Sequence, residues 1–88
     1  MKLINVGHGN YVNSGRIVAV MSPETAPVKR LAQEAKDAGR ALDVTCGKRT
    51  RSVIVTDSDH VVLCAVRCET IEERISGAKA SSDGETDE

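Results

Sequence analysis

Short apolar runs separated by turn residues make up most of the chain, and one stretch has the period of a long helix. Leu3-Ile4-Asn5-Val6 predicts a first strand, stopped by Gly7-His8-Gly9-Asn10, where two glycines are free to take positive φ. The simplest consequence is a hairpin with Tyr11-Val12-Asn13 as the returning strand. Ser14-Gly15 then turns the chain into Arg16-Ile17-Val18-Ala19-Val20-Met21, a third strand. Ser22-Pro23-Glu24 and Ala26-Pro27 both signal helix entry, because proline fits the first helical turn and pushes the preceding residue away from the α region. From Val28 onward, Leu31, Ala32, Ala35 and Ala38 keep helical spacing, and Gly39 stands where a C′ residue closes a helix. Lys29, Gln33 and Lys36 share a stripe that Arg40 extends, and the ordinary reading of such a basic edge is a solvated face.

Asp43-Val44-Thr45 reads as a short edge strand. Residues 52–56 and 60–66 are two β-rich runs joined by the turn Asp57-Ser58-Asp59, and residues 69–75 suit a short helix. Val53-Ile54-Val55 and Val61-Val62-Leu63 are apolar on both faces, so both sides of their sheet must be covered. One main helix covers one face, which predicts that neighbouring subunits cover the other. The expected fold class is therefore α+β. It is a small antiparallel β-rich domain over residues 1–77, with one main helix and a short C-terminal helix, followed by an acidic disordered tail at 78–88.

Composition adds pressure toward self-association. A chain of 88 residues sits where a single core is marginal, and Tyr11 is its only aromatic, so Val, Ile, Leu and Ala must build that core. The formal charge of -1 hides an uneven distribution, since Asp83, Glu85, Asp87 and Glu88 crowd the C-terminus. Residues 1–79 hold twelve Lys and Arg against nine Asp and Glu, a balance of 12 - 9 = +3. Cys46, Cys64 and Cys68 form no CxxC pair, which argues against a disulfide framework or a zinc site and for reduced cysteines. No signal-type or membrane-spanning run is present, and a soluble cytoplasmic protein is the expectation.

The candidate chemistry lies in Gly47-Lys48-Arg49-Thr50-Arg51, where three cations fall within four positions directly before an apolar strand. Glycine lets a backbone approach closely, and arginine forks match phosphate oxygens, so the loop suits a nucleic-acid backbone. A nucleotide-binding P-loop is excluded, because Leu42 stands where its first glycine belongs and Arg49 where its Ser or Thr belongs. Gly7-His8-Gly9 lacks the rest of a dinucleotide fingerprint and reads as a turn, while His60 beside Asp57 and Asp59 is explained by an Asp-rich turn. No nucleophile, base and orienting group assemble, no cofactor is implied, and an enzyme is not expected. An RNA-binding module and an anion- or nucleotide-sensing domain are the alternatives, the first weakened by the single aromatic.

Asn5-Val6-Gly7-His8-Gly9-Asn10, Arg16-Ile17-Val18, Ser22-Pro23, Ala26-Pro27-Val28-Lys29-Arg30, Gly47-Lys48-Arg49-Thr50-Arg51 and Asp57-Ser58-Asp59-His60-Val61 together resemble the RemA family of extracellular matrix regulators over about residues 2–75. The resemblance implies a bacterial, nucleoid-associated DNA-binding regulator that activates biofilm matrix genes. It also implies a LytTR-like α+β subunit, a closed homo-oligomeric ring of seven or eight subunits, duplex DNA as partner and no membrane association. The implied DNA contacts fall on Arg16, Lys48, Arg49 and Arg51, and Pro27 matches a family proline. His8 stands where the family favours an aromatic residue, and Lys48 where it often has arginine.

Overall fold

The computed structural model describes residues 2–77, so the expected acidic tail at 78–88 lies outside the described residues. Strands β1 (Leu3–Gly7) and β2 (Asn10–Asn13) form an antiparallel hairpin. His8 at φ 55° and Gly9 at φ 79° make its two-residue turn, the positive-φ pair of a type I′ connection that matches the strands' twist. A short 3-10 turn at Ser14–Arg16 leads into β3 (Ile17–Met21). Helix α1 (Ala26–Asp37) follows, with Pro27 in its first turn, and Gly39 takes φ 75° beyond the Ala38 cap, as the helix-stop reading requires. The basic stripe does not run on to Arg40, whose guanidinium turns back to donate to the Asp59 carbonyl at 2.9 Å.

Strands β4 (Ala41–Asp43), β5 (Ser52–Thr56) and β6 (Val61–Cys64) complete a four-stranded sheet in the order β3-β5-β6-β4, and α2 (Cys68–Ser76) closes the described chain. The class is α+β as expected, with one departure from an antiparallel sheet. β4 pairs parallel to β6, because the chain returns from β3 through α1 in a crossover. β4 also begins two residues earlier than the pattern suggested. Asp43 spends its side chain on Thr45 and turns the chain out of the sheet there.

Two clusters pack on opposite faces of β5 and β6. Val28 and Ala35 of α1 meet Val53, Val61 and Leu63 on one face. Ile4 and Val6 of β1, with Ile71 of α2, meet Ile54, Val62, Cys64 and Val66 on the other. The expectation that a neighbouring subunit must cover this second face is therefore corrected: the hairpin and α2 of the same chain do so. The sequence treated α2 as a small terminal element, whereas its Ile71 is fully buried. Ile71→Ala should cost about 2–5 kcal/mol, as a core truncation that leaves a cavity. Urea unfolding followed by circular dichroism should then show a clearly lowered midpoint, and an unchanged midpoint would mean that α2 does not seal the core.

Candidate nucleic-acid interface

The directions of the strands gather several features at one end of the sheet. β3, β4 and β6 all finish there, β5 starts there, and both helices set out from there. The helix N-termini therefore bring their partial positive charge and unpaired N–H groups to this end. Neither N-cap residue, Thr25 for α1 or Arg67 for α2, makes a side-chain capping bond.

The basic loop between β4 and β5 is pinned at both ends. Before it, the Asp43 carboxylate accepts from the Thr45 N–H at 2.9 Å and from the Thr45 hydroxyl at 2.7 Å, with Thr45 itself buried. Cys46 at φ 55° and Gly47 at φ 83° then reverse the chain, and the Lys48 N–H closes the turn on the Thr45 carbonyl at 3.1 Å. After it, the Arg51 N–H donates to the Cys64 carbonyl at 2.8 Å. The Ser52 hydroxyl, fully buried, donates to the Val66 carbonyl at 2.8 Å and lies 2.7 Å from the Cys64 thiol. Lys48, Arg49 and Arg51 project from this braced segment and are exposed.

Arg49 and Arg51 line a cleft of about 160 Å³, whose walls also include Ser22, Glu24, Arg67 and Glu69. Arg67 was not singled out from the sequence, where it is a lone cation after an apolar strand. Only the β5–β6 pairing brings it to the same cleft as Arg51. Arg49 meets Glu24 at 3.6 Å, with both side chains largely exposed, and such a pair is worth only about 0–1 kcal/mol. The side chains of Lys48, Arg51 and Arg67 have no hydrogen-bond or ion-pair partner among the described residues. Three guanidiniums thus face two carboxylates, leaving positive charge to be matched by an anion.

Arg16 stands apart from this group. Its carbonyl accepts from the Asp57 N–H, and its guanidinium spans both Asp57 carboxylate oxygens at 3.2 and 3.1 Å. The register of β3 on β5 sets Ile17 opposite Thr56 and so Arg16 beside Asp57, at the opposite end of the sheet from Arg51, roughly 20 Å away at ~3.3 Å per strand residue. Arg49 and Arg51 line the same cleft and Lys48 is exposed next to them in the loop, whereas the expectation that Arg16 joins them within a subunit is corrected. Tyr11 lines a depression at Arg16's end, beside Leu42 and His60.

A family model described as RemA-like, extracellular matrix regulatory protein A-like, matches residues 3–75. The chain belongs to the RemA-like family. It is 54% identical over 85 residues to a protein of Heliobacterium modesticaldum, spanning 97% of this chain and 93% of that one. Relatives in Clostridium novyi, 53% identical over 88 residues, and Clostridium perfringens, 58% identical over 76 residues, span 98% and 85% of their own lengths and 100% and 86% of this chain. All three bear the name "Putative regulatory protein". In this RemA-like chain no described helix is long and apolar enough to cross a membrane.

Two titrations report on the loop and its floor. The hydrogen bonds from the Thr45 side chain and backbone hold the Asp43 carboxyl below its ordinary value of 3.8, outweighing its slight burial. Since the folded value is the lower one, Asp43 contributes its full stabilisation above the unfolded pKa and loses it as the pH falls through the folded value. Carbon NMR should find Asp43 titrating below 3.8, and Asp43→Ala should abolish this acid dependence while loosening the amides of residues 45–48. A titration at or above that value would show that the brace is absent. Burial, then Glu69 and Cys64, raise the Cys68 thiol above 9.0, so iodoacetamide should modify it slowly at neutral pH. Gly47→Ala meets open space but a left-handed backbone, and should cost about 1–2 kcal/mol, read as a lowered denaturation midpoint.

Proposed function

We propose that this chain is a DNA-binding transcriptional regulator, an activator of extracellular matrix genes, that engages duplex DNA through the sheet end bearing Lys48, Arg49 and Arg51. The observation that carries this reading is the convergence there of a doubly braced basic loop, two helix N-termini and guanidiniums without internal partners. Rigid donors lose little entropy on meeting phosphate, and arginine presents two of them at once. The names of the relatives support a regulatory rather than an enzymatic role.

Size and placement weigh against the alternatives. Pockets for nucleotide-sized ligands run to about 300–1,000 Å³, well above the 160 Å³ cleft, whereas a single phosphate group needs far less. The larger groove between β3 and α2, about 400 Å³, is lined by Val20, Ile75, Glu69 and Glu72 and repels anions. Single-stranded RNA binding calls for aromatics interleaved with cations, and Tyr11 lies at the far end of the sheet from the loop. Arg16, already held by Asp57, is assigned a separate and weaker DNA contact.

The functional unit we propose is a cyclic homo-oligomer. β3 and β4 are sheet edges, each hydrogen-bonded to one neighbour, and Val18 and Leu42 on them are 66% and 49% exposed. A contact between two different edges is head-to-tail and generates rings when the rotation closes. Repetition around a ring multiplies a few phosphate contacts per subunit, so strong binding does not need a strongly basic chain. The full-length protein should accordingly behave as a closed oligomer in native mass spectrometry, and a monomer at micromolar concentration would rule the ring out. Arg49→Ala should weaken duplex binding by about 1–3 kcal/mol per engaged subunit and flatten the log-log salt slope by about 0.9 for each phosphate contact removed. Wild-type affinity across a salt titration, with the fold intact, would show the loop to be merely solvated.

A further inference from the structure

We propose that Arg67 completes a phosphate-binding notch with Arg49 and Arg51, and that Glu24 occupies the notch as a resident anion until a phosphate displaces it. The identification of that phosphate as a DNA backbone diester rests on the duplex-binding reading; the chemistry of the notch does not.

Three segments distant in sequence build it. Met21 ends β3 opposite Val53, which brings Ser22 and Glu24 to the start of β5. Ser52 pairs with Cys64, so the chain entering β5 and the chain leaving β6 run side by side, and Arg51 and Arg67 line the same cleft. Arg67 is held there as the N-cap of α2 in extended geometry, φ -65° and ψ 153°, and the Ile71 N–H donates to its carbonyl at 3.0 Å. Its position is therefore fixed by a helix whose Ile71 anchors the core, while its guanidinium is left without a described partner.

Glu24 gives the site its second property. Its carboxylate lies 3.6 Å from the Arg49 guanidinium, in a pair exposed enough for solvent to weaken it. A phosphate diester presents two non-bridging oxygens that share its charge and can accept from more than one guanidinium, whereas Glu24 makes a single long contact, and Arg49, Arg51 and Arg67 all line the cleft that would receive it. Exchanging carboxylate for phosphate keeps Arg49 neutralised while also engaging Arg51 and Arg67. Glu24 consequently sets a threshold: it disfavours weak or transient anions and lowers affinity for any one phosphate.

Salt titrations of duplex binding on the full-length chain test both parts, with circular dichroism confirming that each variant is folded. Arg67→Gln should weaken binding about tenfold or more and flatten the salt slope by about 0.9 per contact. Glu24→Gln should tighten binding about two- to fivefold, the worth of one exposed ion pair. A parallel titration with inorganic phosphate, followed through the arginine Nε–H NMR signals, separates the notch from the duplex. If Arg49→Ala loses affinity but Arg67→Gln keeps both wild-type affinity and slope, the notch is wrong and the duplex reading survives. If the wild type fails to bind duplex while phosphate shifts the Arg49, Arg51 and Arg67 signals together, the notch stands and its ligand is a free phosphate. An unaltered affinity in Glu24→Gln would overturn the resident-anion role.

Discussion

The β5–β6 ladder is the constraint on which the rest of the structure depends. Its register, Ser52 on Cys64 through Val55 on Val61, sends Val53, Val61 and Leu63 to α1 and Ile54, Val62 and Cys64 to the hairpin and α2. Because side chains alternate along a strand, a slip of one residue would exchange the two faces and unseat both coverings at once. The same ladder ends at the basic loop. Ser52, fully buried, ties it to the Val66 carbonyl and the Cys64 thiol, so the packing that forms the core also fixes where Arg51 and Arg67 emerge.

Placement of charge therefore matters more than its sum. A net charge of -1 would suit a protein indifferent to polyanions, but the topology brings cations and helix N-termini to one end of the sheet. At the other end Arg16 is committed to Asp57 and Arg40 to the Asp59 carbonyl, both holding the turn that follows β5. The two ends of one small sheet thus carry different work, one with unmatched positive charge and the other with internal pairing.

Local signals made most of the fold legible in the sequence. Gly39 marked the end of α1, Gly7 to Asn10 marked the first hairpin, and the doubly apolar strands announced a sheet buried on both sides. What covers the second face was not legible, because a nine-residue helix with one fully buried residue, Ile71, looks minor in a linear reading. The parallel placement of β4 was equally hidden, since it follows from the crossover through α1 and not from the three residues of the strand. Of the candidate site, Lys48, Arg49 and Arg51 were visible as a run of cations. Arg67 and Glu24 were not, because their proximity to that run comes from strand pairing alone. The same pairing removes Arg16 from the group, a separation that one-dimensional spacing does not encode.

Amide hydrogen exchange on the protein, with and without saturating duplex, tests the central claim most directly. The account predicts that protection gained on binding concentrates at residues 45–51 and 67–70, the braced loop and the start of α2, with much smaller changes at the 57–60 turn. Protection centred on that turn and leaving the loop unchanged would contradict it, as would duplex binding that protects neither end.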